Sequence, residues 1–171
     1  MSSLLKVYKP LTPGSRHKVL LNREVDKPKF RLKAKILKFS RSFGRNNKGA
    51  ITVFTKGGGQ KKLYRSIEFA RYHLSGIVES IEYDPFRTAN IARVFSPKNR
   101  AHHYILAPEK LKRGHIVSSS LLDSNLDIKI GNCFQLKELP IGSYVHNVTF
   151  LNSKKGFSRA AGCYSVLLSR G

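Results

Sequence analysis

From Ala50 to Val117 the hydrophobic positions fall in short β-rich segments broken by turns. AITVFT (50–55) puts Ile51 and Val53 on one face and Thr52 and Phe54 on the other. LYRSIEF (63–69) puts Leu63, Ile67 and Phe69 on one face and Tyr64 and Ser66 on the other. IVESIEY (77–83), NIARVF (90–95), HHYILA (102–107) and HIV (115–117) follow, with Asp84-Pro85 and Ser96-Pro97 as turn punctuation. Alternation with a period of two and no helical repeat between predicts a small closed or sandwiched antiparallel β domain. An oligonucleotide-binding (OB) barrel satisfies this strand count, and so do several other small barrels. A second β-like block starts near Ile130, with NCFQLKEL framed by Gly131-Asn132 and Pro140-Ile141-Gly142. SYVHNVTFL (143–151) alternates well, and the basic turn Lys154-Lys155-Gly156 leads into RAAGCYSVLLSRG. About forty residues make a short independent domain, so this block reads as unfinished.

Residues 1 to about 45 carry Pro10, Pro13, Gly14 and Pro28 with weak periodicity, and charge explains them better than hydropathy does. The 171-residue chain has a formal net charge of +22. Between Asp26 and Glu68 there is no acidic residue, while lysines and arginines recur throughout. One-signed charge opposes compaction, so this segment reads as an extended basic arm ordered by a polyanionic partner. A membrane surface would call for an amphipathic basic helix or a long apolar span. The sequence has neither, which leaves nucleic acid. The start, MSSLLKVYKP, has no signal-peptide core and no Arg/Ser-rich amphipathic helix. Either the protein stays where it is made or a leader has already been removed.

The strongest local feature is Lys56-Gly57-Gly58-Gly59-Gln60-Lys61-Lys62-Leu63-Tyr64-Arg65. Successive glycines let backbone approach a phosphate and expose N–H donors. Lys56, Lys61, Lys62 and Arg65 neutralise phosphates, and Tyr64 offers a ring to a splayed base. The G-x-x-x-x-G-K-[ST] spacing of a nucleotide-hydrolysing loop is missing. Gly44-Arg45-Asn46-Asn47-Lys48-Gly49 adds Arg45, Asn46 and Lys48 as phosphate and base-edge donors, a weaker signal that also describes an ordinary turn. In the 80–93 segment Glu82 and Asp84 share a strand face; without a nucleophile or metal ligand they read as salt-bridge anchors holding Arg87 or Arg93. His102 and His103 point to opposite faces of a strand and do not form a metal set. Cys133 and Cys163 lack a C-x-x-C partner and read as two reduced core thiols rather than a bridge. No cofactor is expected.

Together these segments closely resemble the ribosomal protein L2 family (uL2). The resemblance rests on YKPLTPGSR (8–16), GRNNKGAITV (44–53), KGGGQKKLYR (56–65), IEYDPFRTANIA (81–92), YILAPEKLKRG (104–114), IKIGNCFQLKELPIGSYVHNV (128–148) and RAAG (159–162), in the family's order. It implies an all-β chain: a basic arm (1–45), an OB-fold RNA-binding domain (46–125), and the start of an SH3-like barrel (126–171). It further implies a structural, non-enzymatic constituent of the large ribosomal subunit. Such a protein binds large-subunit rRNA and other ribosomal proteins and supports subunit association and the peptidyl-transferase region, where RNA performs the chemistry. The family's RNA contacts carry over onto the glycine-loop residues, onto Arg87 and Arg93, and onto Arg159.

The departures from the family pattern carry expectations of their own. Gln60 stands where bacterial members commonly have His, and Phe86 where they commonly have Asn. The segments Phe30 to Ser42 and Ser118 to Asp127 diverge. The family's glycine-rich, histidine-containing C-terminal portion is missing, so either a separate chain completes the SH3-like barrel, the favoured expectation, or this ribosome does without it. Divergence and truncation together point to an organelle ribosome, mitochondrial before plastid, and the lack of a leader fits synthesis inside it. Two rival classes remain to be weighed. A free single-strand RNA-binding OB protein needs an aromatic-lined groove, whereas the aromatic residues here are scattered along the sequence. An RNA-processing hydrolase would use Glu82, Asp84 and a metal.

Overall fold

The computed structural model describes residues 5–22, 25–26, 31–121, 126–150 and 156–169. The chain is all-β. Its centre is an antiparallel sheet in the order β7-β6-β5-β8, formed by β5 (Gly76–Glu82), β6 (Ile91–Ser96), β7 (Ala101–Leu106) and β8 (Ile116–Val117). Four of the expected strands are therefore present, each within a residue or so of its expected limits. The alternation works on both faces of this sheet, because neighbouring residues point to opposite sides. Ala92, Val94, Ile105, Val78 and Val117 join Leu74 and Leu111 in one buried cluster. Ile91, Tyr104 and Leu106 join Ile67 in the other, with Leu32 and Phe69 packed against it. A register shift between Val78 and Ser80 leaves Glu79 as the extra residue of a bulge, which bends the sheet.

A hairpin-like pair, β3 (Ile36–Lys38) with β4 (Leu63–Arg65), extends this unit. Beyond β4 the Glu68 amide donates to the Tyr104 carbonyl at 2.8 Å, which drops Ile67 into the second cluster. LYRSIEF thus keeps strand pairing only over its first three residues. AITVFT is not a strand. Its one ladder contact is an isolated bridge from Ile51 to Arg45. The reason is local closure: the Gly44 carbonyl accepts from the Thr52 and Val53 amides at 2.9 and 3.1 Å. Gly44 has φ +78° and a Cβ there would collide with the Val53 carbonyl, so only glycine allows the loop to close. Ile51, Val53 and Phe54 remain exposed instead of packing against a sheet.

Within the N-terminal segment, β1 (Leu5–Val7) pairs with β2 (Val19–Leu21) in an exposed hairpin. The arm lysines Lys27 and Lys29 lie outside the described residues. The second block holds two small sheets, β9 (Tyr144–Val145) with β12 (Ser165–Val166) and β10 (Val148–Thr149) with β11 (Gly156–Phe157). SYVHNVTFL is interrupted because Asn147 sits at φ +52°; Leu151, Lys154 and Lys155 lie outside the described residues. The two blocks are joined by a parallel bridge from Ser119 to Cys133 and by buried Arg71, whose Nη2 donates to the Gly131 carbonyl at 2.6 Å. Cys133 and Cys163 are free thiols, but Cys133 is half-buried and Cys163 exposed, so neither is a core residue. No helix among the described residues is long and apolar enough to cross a membrane.

Candidate nucleic-acid interface

The loop after β3 and the glycine loop before β4 are built against each other. Arg41 Nη1 donates to the Gly58 carbonyl at 2.8 Å. The Phe43 ring lies directly under Gly58, where any Cβ would overlap it. The middle glycine is therefore favoured by close approach to an aromatic ring, and Gly59 by its φ of +59°. Gly57 and Gly59 stay exposed, as do Lys56, Lys61 and Lys62 around them. Among the described residues these lysines and Lys48 belong to none of the ion pairs, which involve Arg87, Arg93, His102, His103 and Lys129. Their charge is available to an outside anion.

The 44–49 turn uses part of its own chemistry. Asn46 Oδ1 accepts from the Lys48 and Ala50 amides at 3.0 and 2.9 Å, and Arg45 Nη1 donates to the Gly49 carbonyl at 2.9 Å. Asn46 and Arg45 thus shape the loop that presents Lys48. Arg65 Nη1 donates to the Leu63 carbonyl at 3.0 Å.

The remaining expected residues divide in two. Arg93, in the middle of β6, lies 2.7 Å from Glu79 Oε2, and His102 Nδ1 lies 3.1 Å from the same oxygen. Of the two carboxylates expected to hold Arg87 or Arg93, only Asp84 does so, and only for Arg87, at 2.6 Å. Asp84 is fully buried and its other oxygen accepts from the Phe86 amide at 3.1 Å. Glu82 points inward, accepting from Ser80 Oγ at 3.0 Å and from the Tyr104 hydroxyl at 3.1 Å. Burial first, then the Glu82 charge, pushes the Tyr104 phenol up to about 12. The bulge supplies Arg93 with Glu79 instead, because the extra residue re-aims that side chain. Among the described residues no three His, Cys, Asp or Glu side chains are grouped to hold a metal ion.

Arg87, so clamped, is one rung of a ladder of rings and guanidinium groups. Phe39 meets Phe86 edge-to-face at 5.7 Å, and Phe86 meets Tyr64 at 5.3 Å. The Arg87 guanidinium lies 6.0 Å from the Tyr64 ring and 5.9 Å from Phe69. Arg159 stacks on Phe69 at 4.0 Å, within cation–π range. Arg159 Nε donates to Asn147 Oδ1 at 2.8 Å, and Asn147 Nδ2 donates to the Phe69 carbonyl at 3.2 Å. Burial, and then the like charge of Arg87, lowers the Arg159 pKa. The fold therefore brings Tyr64, Arg87 and Arg159 together, and keeps Arg93 apart from this ladder among its own ion-paired partners. Phe39, Arg41, Phe43, Phe69, Phe86 and Asn147 are members that sequence reasoning missed; the one advance signal was Phe86, a ring at a position where family members commonly carry Asn.

A β-rich chain of this charge, with exposed cations and a ladder of arginines and aromatic rings, falls in the class of small basic β-barrel proteins. Residues 33–119 match the family described as Ribosomal Proteins L2, RNA binding N-terminal domain, and the chain belongs to that family. The large ribosomal subunit protein uL2 of Wolbachia pipientis is 40% identical over 171 residues, covering 97% of this chain and 60% of the relative. The uL2m protein of Reclinomonas americana is 42% identical, with 98% and 60% covered. The uL2 protein of Rickettsia massiliae is 46% identical over 165 residues, with 92% and 58% covered. The chain thus spans about 60% of the length of these curated relatives.

Proposed function

We propose that this chain is a structural, non-catalytic constituent of a large ribosomal subunit that binds its rRNA. The observation that carries the reading is the conjunction of family membership with a face of unpaired lysines beside a clamped arginine–aromatic ladder. Lys48, Lys56, Lys61, Lys62 and Arg65 would neutralise phosphates, and Gly57, Gly58 and Gly59 would admit the RNA backbone. Arg45 and Asn46 shape the neighbouring turn, while Arg87, Arg93 and Arg159 supply planar donors at positions set by their partners. On this reading residues 1–45 act as a basic arm whose 32–38 stretch docks on the OB-type domain of 46–125, and 126–171 form the start of an SH3-like barrel. The role extends to supporting subunit association and the peptidyl-transferase region. The ribosome is that of a mitochondrion, a placement supported by the likeness to a uL2m protein. A further polypeptide, carried on a separate chain, completes the second block. Completion of the block, whichever chain supplies it, is supported by two-stranded sheets that are marginal alone, with Tyr144 at 77%, Phe150 at 65% and Tyr164 at 65% exposure.

Sedimentation of native lysate after a moderate-salt wash tests the assignment. Stoichiometric recovery with large subunits is the expected result, and mass spectrometry of that fraction should reveal the completing chain. RNA affinity should fall about 10³–10⁵-fold between 50 and 200 mM salt for roughly 6–10 phosphate contacts. A second reading, a free single-strand RNA-binding protein, gains weight from the ladder. It prevails if the chain stays in the light fractions.

A further inference from the structure

We infer that Phe39 is a stacking platform for one unpaired RNA base, with Arg41 and Lys38 taking the flanking phosphates. The inference deepens the RNA-binding reading above and rests on it. Phe39 follows β3 and is 59% exposed, although it is a large apolar ring. A lone exposed phenylalanine would carry no message. This one is held from two sides: Phe86 abuts it at 5.7 Å, and the Arg41 guanidinium lies 5.9 Å from its ring. Phe86 is itself braced by Tyr64 at 5.3 Å, and the Phe86 amide is bonded to buried Asp84. A ring fixed in advance loses little freedom when a ligand covers it, so it can act as a preformed surface. Tyr64, by contrast, is a half-buried inner rung already contacted by Phe86 and Arg87, so the open end of the ladder is Phe39.

The surroundings decide what covers the ring. No acidic residue occurs between Asp26 and Glu68, and Lys38 and Arg41 flank Phe39 in the chain. Arg41 also ties the platform to the glycine loop through the Gly58 carbonyl. An apolar protein partner would have to be strongly acidic to approach, whereas RNA provides a flat ring and phosphates in one nucleotide. In a paired A-form helix base faces are hidden and the grooves present only edges and 2′-hydroxyls. The occupant is therefore a bulged or single-stranded nucleotide.

The test titrates the full chain against three probes: a hairpin RNA with one bulged 2-aminopurine, its fully paired counterpart, and inorganic polyphosphate. Wild type should quench the bulged 2-aminopurine on binding. Phe39→Ala should weaken binding of the bulged RNA about 5- to 150-fold, the range of one base stacked on one ring. It should leave polyphosphate and paired RNA within twofold, and Phe39→Trp should restore both quenching and affinity. Because Phe39 lies outside both buried clusters, the variant should melt as wild type does. Equal affinity of Phe39→Ala and wild type for the bulged RNA overturns the inference, as does an equal loss on all three probes. If wild type binds none of the RNAs above its affinity for polyphosphate, the RNA-binding reading itself fails. If an acidic protein partner from the ribosomal fraction loses binding in Phe39→Ala while the bulged RNA does not, the platform belongs to that protein.

Discussion

Replacing Asp84 with Asn isolates the clamp on which the arginine–aromatic ladder depends. Asp84 is fully buried and uses both oxygens, Oδ2 for Arg87 Nε at 2.6 Å and Oδ1 for the Phe86 amide at 3.1 Å. Asn has the same shape but a single acceptor oxygen. Whichever way the amide turns, its NH2 faces one of two donors. One charge-assisted hydrogen bond is lost or one buried N–H is left unpaired, each worth about 1.5–3 kcal/mol. Breaking a fully buried ion pair costs about 3–5 kcal/mol, but the Arg87 side chain is 19% exposed, and water reaching the guanidinium lowers the figure. The expected cost is about 2–3 kcal/mol. At about 2–4 °C per kcal/mol for a chain of this size, Tm should drop by roughly 4–12 °C. Urea unfolding followed by circular dichroism measures it directly. The paired change Asp84→Asn with Arg87→Met should cost clearly less than the sum of the two single changes, because the second removes the charge the first strands. A loss below about 0.5 kcal/mol for Asp84→Asn, or strict additivity in the cycle, would refute the clamp.

Three further outcomes follow from the same geometry. Tyr104→Phe keeps the ring but leaves buried Glu82 with Ser80 as its remaining side-chain donor, and should cost about 1.5–3 kcal/mol by urea unfolding; in wild type one phenol should resist ionisation, followed by absorbance at 295 nm, until about 12. Burial first and then the Arg71 charge lower the folded His146 pKa, so its contribution is present above the unfolded value near 6.5 and lost as pH falls through the folded one. Melting between roughly pH 7.5 and 5 should show that decline, and His146→Gln should flatten it. Asp127, whose carboxyl Lys129 holds below its ordinary value, titrates under that window. Gly58→Ala pushes a methyl into the half-exposed Phe43 ring, which can swing aside. It should cost only about 1 kcal/mol in a thermal melt while displacing the glycine loop, read as a several-fold weaker affinity for polyphosphate.

The strands legible in the sequence were those whose neighbours cover them on both sides. Ala92 and Ile105 alternate with residues that serve the opposite cluster, Ile91, Tyr104 and Leu106, and period-two reading found them. AITVFT has equally good alternation and fails as a strand, because alternation states what a strand would bury and not whether a partner is there. The Gly44 carbonyl captures its amides first. SYVHNVTFL breaks for a comparable reason: Asn147 adopts a left-handed backbone that frees its side chain to bond Phe69 and Arg159. The salt-bridge reading was right for Asp84 and wrong for Glu82, since a one-residue bulge at Glu79 moves Arg93 to another carboxylate. A bulge leaves no mark in residue type.

The ladder explains why the cationic glycine loop alone is an incomplete description of this face. Its rungs come from four stretches of chain, so composition windows register scattered aromatics where the fold has concentrated them. Arginine suits these positions better than lysine, because a planar guanidinium can hold a carboxylate at its edge and still face rings on its sides. Arg87 does both, with Asp84 at 2.6 Å and the rings of Tyr64 and Phe69 at about 6 Å. Arg159 does the same from the second block, its Nε on Asn147 and its plane on Phe69. The two β units are thereby coupled through polar and aromatic contacts at the edge of the basic face, whereas the lysines project freely from loops. On the proposed RNA-binding reading, the arginine–aromatic frame sets where the ligand sits, and the exposed lysines supply attraction to its phosphates. That division of labour requires the frame to be ordered before the ligand arrives, and buried Asp84 is the group that orders it.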